Sequence, residues 1–141
     1  MIIYVDGASS GNPGHSGIGV VLCDENGHIL KKYYKYIGET TNNIAEYMAL
    51  VFALQESLFN NVRNVTIYSD SELLVRQING IYKVKNPYLL LFYQIAENLS
   101  KHFRSFQLEY VEREKNKEAD RLARKGSKLK GKIFKKQEDE S

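Results

Sequence analysis

Tryptophan is absent from this chain, and cysteine occurs once, at Cys23. A single thiol can form neither an internal disulfide nor a cysteine metal cluster. It suits a reducing compartment, and a cytoplasmic protein is expected. No apolar run approaches the roughly 20 residues that span a bilayer, so no membrane helix is expected. The opening Met1-Ile2-Ile3-Tyr4-Val5-Asp6 has no basic segment and no cleavage site, and no export leader is read there. Internal repeats and linkers are missing as well. The 141 residues suit one domain, expected over 1–128. A tail over 129–141, first basic and then acidic, is expected to be flexible. With 43 % hydrophobic and 26 % charged residues, the chain can bury one core.

Charge is present but unevenly spread. Residues 113–136 hold eleven Lys and Arg against three acids, or +8, while the remainder holds nine against fourteen, or −5. One basic end on an acidic body suits a polyanion partner.

Residues 1–6 are β-branched and aromatic and predict a buried strand. Residues 7–16 read as a turn cluster. A second strand is expected over 17–24, and Asn26-Gly27 predicts a hairpin into a third over about 28–37. Thr40-Thr41-Asn42-Asn43 offers cap side chains for a helix reaching about Leu58. That helix is so apolar that it must be covered on more than one side. A fourth strand (65–69), a short helix (71–79) ended by Gly80, and a helix opened by Asn86-Pro87 follow. A fifth strand (106–111) and a last helix (116–126), stopped by Gly126, complete the pattern. The order β-β-β-α-β-α-α-β-α predicts an α/β fold: a five-stranded mixed sheet, its first three strands an antiparallel meander, flanked by helices.

Four acids stand in apolar settings. Asp6 closes the first strand and Asp70 the fourth. Glu46 is the only charge between Thr40 and Gln55, and Asp120 lies beside Ala119, Leu122 and Ala123. An ionised carboxylate taken out of water costs several kcal/mol unless it is paired or binds metal. Acids at strand ends and on covering helices can converge, and a hard divalent cation such as Mg2+ or Mn2+ would relieve their repulsion. Each acid also has a structural use. Asp6 could be a turn residue, Glu46 could favour a helix dipole, Asp70 could cap a helix, and Asp120 could pair with Arg124.

Tyr4-Val5-Asp6-Gly7-Ala8-Ser9, Gly11-Asn12-Pro13-Gly14, Thr40 to Glu46, Tyr68-Ser69-Asp70-Ser71 and Asn116 to Ala123 occur in one order. Together with Ile78-Asn79-Gly80 and Val84-Lys85-Asn86, they make the chain resemble type 1 ribonuclease H over about residues 1–127. The resemblance implies a ribonuclease H-like fold. It also implies an endonuclease that hydrolyses the RNA strand of RNA–DNA hybrids, leaving 5′-phosphate and 3′-hydroxyl ends. Asp6, Glu46, Asp70 and Asp120 would be catalytic and would hold two Mg2+, with Mn2+ a possible substitute; Gly7 joins the metal set. One metal would activate a water and the other would stabilise the leaving oxygen. Gly11 and Asn12 would lie by RNA 2′-hydroxyls, Asn42 and Asn43 in the minor groove, and Thr41 and Asn86 at a DNA-strand phosphate. Ser71 and Arg113 complete the substrate set. The expected partner is the hybrid duplex, with no membrane, no obligate protein partner and a monomeric state. The alternatives are a same-fold nuclease that also cuts RNA–RNA duplex and a non-catalytic hybrid-binding module.

Two features of many members are missing. The stretch Val111 to Asn116 replaces a longer histidine-containing loop. The link Ile81 to Asn86 leaves no room for a basic protrusion that grips the DNA strand. The basic stretch Arg121–Lys136 is expected to compensate in part.

Overall fold

The computed structural model describes residues 1–130. Three strands come first, β1 (Ile2–Ser9), β2 (Gly14–Cys23) and β3 (Ile29–Thr40). They are followed by α1 (Asn42–Phe59), β4 (Asn64–Ser69), α2 (Glu72–Ile78), α3 (Pro87–Ser100) and β5 (Ser105–Tyr110). A 3-10 turn (Arg113–Lys115) leads into α4 (Lys117–Ser127). The sheet order is β3-β2-β1-β4-β5. β1–β2 and β2–β3 are antiparallel, while β1–β4 and β4–β5 are parallel. The mixed sheet, the meander and the element order are those expected. Among the described residues no helix is long and apolar enough to cross a membrane.

The strand period of two sorts residues onto two faces. Ile3 and Val5 of β1 and Ile18, Val20 and Leu22 of β2 join Tyr47, Leu50 and Leu54 of α1 in the main core. Burying each such aliphatic side chain contributes about 1.5–3 kcal/mol. α1 also packs on α3, so this apolar helix is covered on two sides. On the other face, Val21 and Cys23 of β2 meet Ala119 and Leu122 of α4. That contact is close. A Cβ on Gly19 would stand 2.2 Å from the Ala119 carbonyl oxygen, so only glycine fits.

Three local expectations are corrected. The turn over 7–16 shrinks, because Gly7, Ala8 and Ser9 pair with Ile18, Gly17 and Ser16. Small, turn-prone residues are used here for strand pairing beneath helices. Consequently Asp6 lies inside β1 instead of closing it. Gly126 does not stop the last helix; it is buried within it. A Cβ there would meet the Lys35 carbonyl oxygen at 2.4 Å, so its smallness serves the contact with β3. Of the tail expected over 129–141, all but Leu129 and Lys130 lies outside the described residues.

Candidate active site

β1 runs further than its parallel neighbour. The last β1–β4 pair is Val5 with Ser69, while β1 continues with β2 to Ser9. Asp6 and Gly7 therefore sit beyond the carboxyl end of β4, where Asp70 follows Ser69. This is the position at which open α/β sheets place ligands. The cross-strand partner of Asp6 is Gly19, so Asp6 lies beside α4. Its side chain is almost fully buried, at 4 % exposure.

Glu46 arrives from the other face. A Cβ on Gly7 would lie 2.3 Å from the Ala45 carbonyl carbon, so β1 and α1 touch backbone to backbone. That approach lets the Gly7 N–H donate to Glu46 Oε1 at 3.0 Å. Glu46 lies past the first turn of α1, so a favourable helix dipole does not account for it. Capping does not account for Asp70 either. Ser71 caps α2, accepting from the Leu74 N–H at 3.2 Å. Asp70 Oδ2 is buried and receives no hydrogen bond.

Asp6, Glu46 and Asp70 bring carboxylate oxygens within 4.8 Å of one another. Asp120 lines the same cavity as Asp6 and Glu46, a space of about 530 Å³ that Arg113 and Arg124 also border. Its carboxylate is engaged by Arg124 one turn along α4, the pairing its spacing predicted. Asp120 is thus beside the other three acids but outside their tight group.

The electrostatics follow from this crowding. Burial, then the Glu46, Asp70 and Asp120 carboxylates, push the Asp6 carboxyl up to about 10. Burial and Asp70 push Glu46 up to about 8, against the Gly7 N–H and the Arg113 guanidinium. Burial raises Asp70 too, with the Asn116 amide and Arg113 opposing it. Crowded carboxyls raised by burial and an orphaned buried oxygen are what an oxygen-ligand cation would correct. The donor set fits a hard divalent ion. Asp6, Glu46 and Asp70 could hold one, with Asp120 adjacent.

The remaining expected residues gather nearby. The Asn12 side chain accepts from the Asn42 N–H at 3.0 Å, and the Asn42 side chain accepts from the Ser9 N–H at 3.1 Å. The exposed loop carrying Gly11 and Asn12 is thereby tied to the start of α1. Thr41 caps α1 and Asn86 caps α3. Asn12, Thr41, Asn43 and Asn86 line a second cavity of about 200 Å³. Gly11 and Ser71 border neither cavity.

Two residues escaped the sequence reading. Asn116, expected to open the last helix, is buried and gives its amide to the Val5 carbonyl at 2.9 Å. An asparagine before a helix reads as a cap, and only the fold reveals its reach to β1. Arg124 was expected as a partner for Asp120 and within the basic stretch, but not as part of the cavity wall.

A family model described as reverse transcriptase-like matches residues 4–126. A bifunctional protein of Mycobacterium tuberculosis is 40 % identical over 124 residues, covering 87 % of this chain and 34 % of that protein. The chain thus spans about a third of the length of the first curated relatives it matches. RNase H1 of the archaeon Halobacterium salinarum gives a TM-score of 0.86 at 34 % identity, covering 89 % of this chain and 95 % of that one. LC11-RNase H1, isolated from compost and solved in complex with an RNA/DNA hybrid, gives 0.83 at 43 % identity, covering 88 % and 94 %. Similarity of this extent, along with four acids at one sheet opening, means that the chain belongs to the type 1 ribonuclease H family.

Proposed function

We propose that this protein is a metal-dependent endonuclease that hydrolyses the RNA strand of RNA–DNA hybrids, leaving 5′-phosphate and 3′-hydroxyl ends. The observation that carries the reading is the trio Asp6, Glu46 and Asp70, whose oxygens converge within 4.8 Å although their charges repel. Asp6, Glu46, Asp70 and Asp120, with the backbone of Gly7, would hold two Mg2+, or Mn2+ in their place. When bound, such ions stabilise the charge that develops in phosphodiester hydrolysis.

The chain's own groups prepare the site. The Gly7 N–H fixes Glu46. Asn116 ties the 3-10 turn segment to β1 beside Asp70. Arg113 places positive charge over the acids, and with Ser71 it would face the substrate. Asn42 and Asn43 would meet the minor groove, and Gly11 and Asn12 would lie by the RNA 2′-hydroxyl that separates RNA from DNA. Thr41 and Asn86 cap the N-termini of α1 and α3, and both line one cavity. Helix N-termini favour anions, which suits a DNA-strand phosphate there. Arg121, Arg124, Lys125 and Lys128 of the last helix and its end would supply phosphate contacts that a protrusion supplies in other members. This reading puts the enzyme in the cytoplasm, acting as a monomer.

The test uses labelled RNA–DNA hybrid, RNA–RNA duplex and single-stranded RNA, with Mg2+ or EDTA, beside Asp70→Asn. Cutting of the hybrid's RNA strand that needs metal and disappears in the variant is the expected result. Binding without cutting in any metal would replace the enzyme with a recognition module. Equal cutting of RNA–RNA duplex would broaden the substrate.

A further inference from the structure

Asp120 differs from the other three acids. Arg124 Nε donates to its Oδ1 at 3.2 Å and Nη2 to its Oδ2 at 2.5 Å, so both carboxylate oxygens are engaged. Asp6, Glu46 and Asp70 form a group from which Asp120 is absent. Yet Asp120 and Arg124 both line the cavity that contains Asp6 and Glu46. The Arg124 side chain is 62 % exposed and that of Asp120 only 22 %. Arg124 can leave the pair and remain hydrated. Asp120, largely out of water and next to another carboxylate, needs a cation in its place.

We propose that Arg124 is a latch on Asp120. It occupies the carboxylate in the free protein and releases it when a substrate phosphodiester reaches the cavity. It thereby ties the use of Asp120 as a metal ligand to the arrival of substrate. This inference rests on the metal-dependent reading above.

The latch works by competition. A divalent cation that takes Asp120 as a ligand displaces a fork of two charge-assisted hydrogen bonds. In the free protein the displaced guanidinium gains only water. With a phosphodiester present it gains an anion that its planar fork fits as well as it fits a carboxylate. Displacement is then easier. By linkage the effect is reciprocal: substrate strengthens cation binding at Asp120, and the cation strengthens substrate binding. Arg113, the other guanidinium at the cavity, acts on Glu46 and Asp70 across space and leaves Asp120 to Arg124. Pairs one turn apart on a helix surface are weak, so the latch should shift affinity about two- to fivefold.

The experiment is a calorimetric titration of the full chain with MnCl2 alone, without nucleic acid. Four proteins are compared: the unaltered chain, Arg124→Gln, Lys128→Gln and Asp70→Asn. Lys128 lines the same cavity, and among the described contacts it makes none with Asp120. Its substitution measures the effect of losing one positive charge there. The expected result is that Arg124→Gln tightens the weaker Mn2+ step about two- to fivefold beyond Lys128→Gln and leaves the tighter step alone. A second step that emerges only in Arg124→Gln meets the same expectation. A weaker step that is unchanged, loosened, or matched by Lys128→Gln overturns the latch. So does a single identical step in all three proteins that keep Asp70. Failure of the metal site itself looks different: the unaltered chain would bind no Mn2+, or Asp70→Asn would bind it equally well. A second readout separates the latch from simple repulsion. At saturating hybrid, the Mn2+ concentration for half-maximal cutting should agree within about twofold between the unaltered chain and Arg124→Gln, because substrate has already opened the pair. A persistent difference would mean that Arg124 acts by charge alone.

Discussion

α1 covers one face of the sheet with Tyr47, Leu50 and Leu54, all buried in the main core. α4 covers the other with Ala119, Ala123 and Leu122 resting against glycine-bearing β2. The first face is held by apolar area, the second by closeness of approach. Area requires bulky side chains around much of a helix. Closeness requires a narrow stripe of small ones, which leaves the rest of α4 free for Arg121, Arg124 and Lys125. The two helices contribute acids of different character to match. Glu46 is held by a backbone N–H in a rigid contact, whereas Asp120 is held by an exposed, movable side chain. The site joins a fixed half to an adjustable half.

The largest expected effect comes from Asp6, which touches both halves. Asp6→Asn should reduce cutting by more than the roughly 10- to 100-fold typical of a residue that only orients a metal ligand. It should also raise the melting temperature of metal-free protein. The Asp6 carboxyl is held up to about 10 in the fold, against about 3.9 in an unfolded chain. Its stabilising contribution is present below the unfolded value and is lost as pH rises through the folded one. Metal-free protein should therefore melt lower at pH 9 than at pH 5. A scan of melting temperature against pH in EDTA should show that slope, flattened in Asp6→Asn.

The two faces should respond differently to substitution. Leu50→Ala in the area-held face should cost about 2–5 kcal/mol by denaturant unfolding, with activity per folded molecule little changed. Gly19→Ala in the closely packed face should cost less, about 1–3 kcal/mol, because the added methyl forces backbone apart. It should nevertheless lower activity, since it displaces the helix that carries Asp120. Equal activity losses in the two variants would erase the proposed division. The smallest effect belongs to Glu118, which joins Lys32 of β3 to α4 and also pairs with Arg121. Arg121 and Lys32 hold its carboxyl down to about 2. Glu118→Gln should cost at most about 1 kcal/mol near neutral pH, for the pair is partly exposed. That contribution is present above the unfolded value of about 4.3 and is lost as pH falls through the folded one, so variant and unaltered chain should converge by about pH 2.

The acids were legible because a carboxylate among apolar residues is anomalous whatever the fold. Glu46 stood out in an apolar helix and Asp70 at the end of an apolar strand. The elements were legible where hydrophobic period and turn chemistry agreed, as at Asn26-Gly27 and at Gly80, which takes the expected left-handed φ of +80°. Glycines at contacts were not. Gly7 looked like a turn residue and Gly126 like a helix stop, yet each is small because another backbone passes over it. Nothing local distinguishes a glycine chosen for φ from one chosen for volume. Asn116 stayed hidden for a related reason: its partner, the Val5 carbonyl, is set by tertiary placement.

Thr41, Ser71 and Asn86 each close a helix, and each belongs to the set expected to face the duplex. A hydroxyl or amide that satisfies an orphan N–H has one acceptor committed before nucleic acid arrives. At these three positions a screen for thermal tolerance and a screen for nucleic-acid affinity would tend to select the same side chains. Directed evolution of this protein would find little freedom at these three caps.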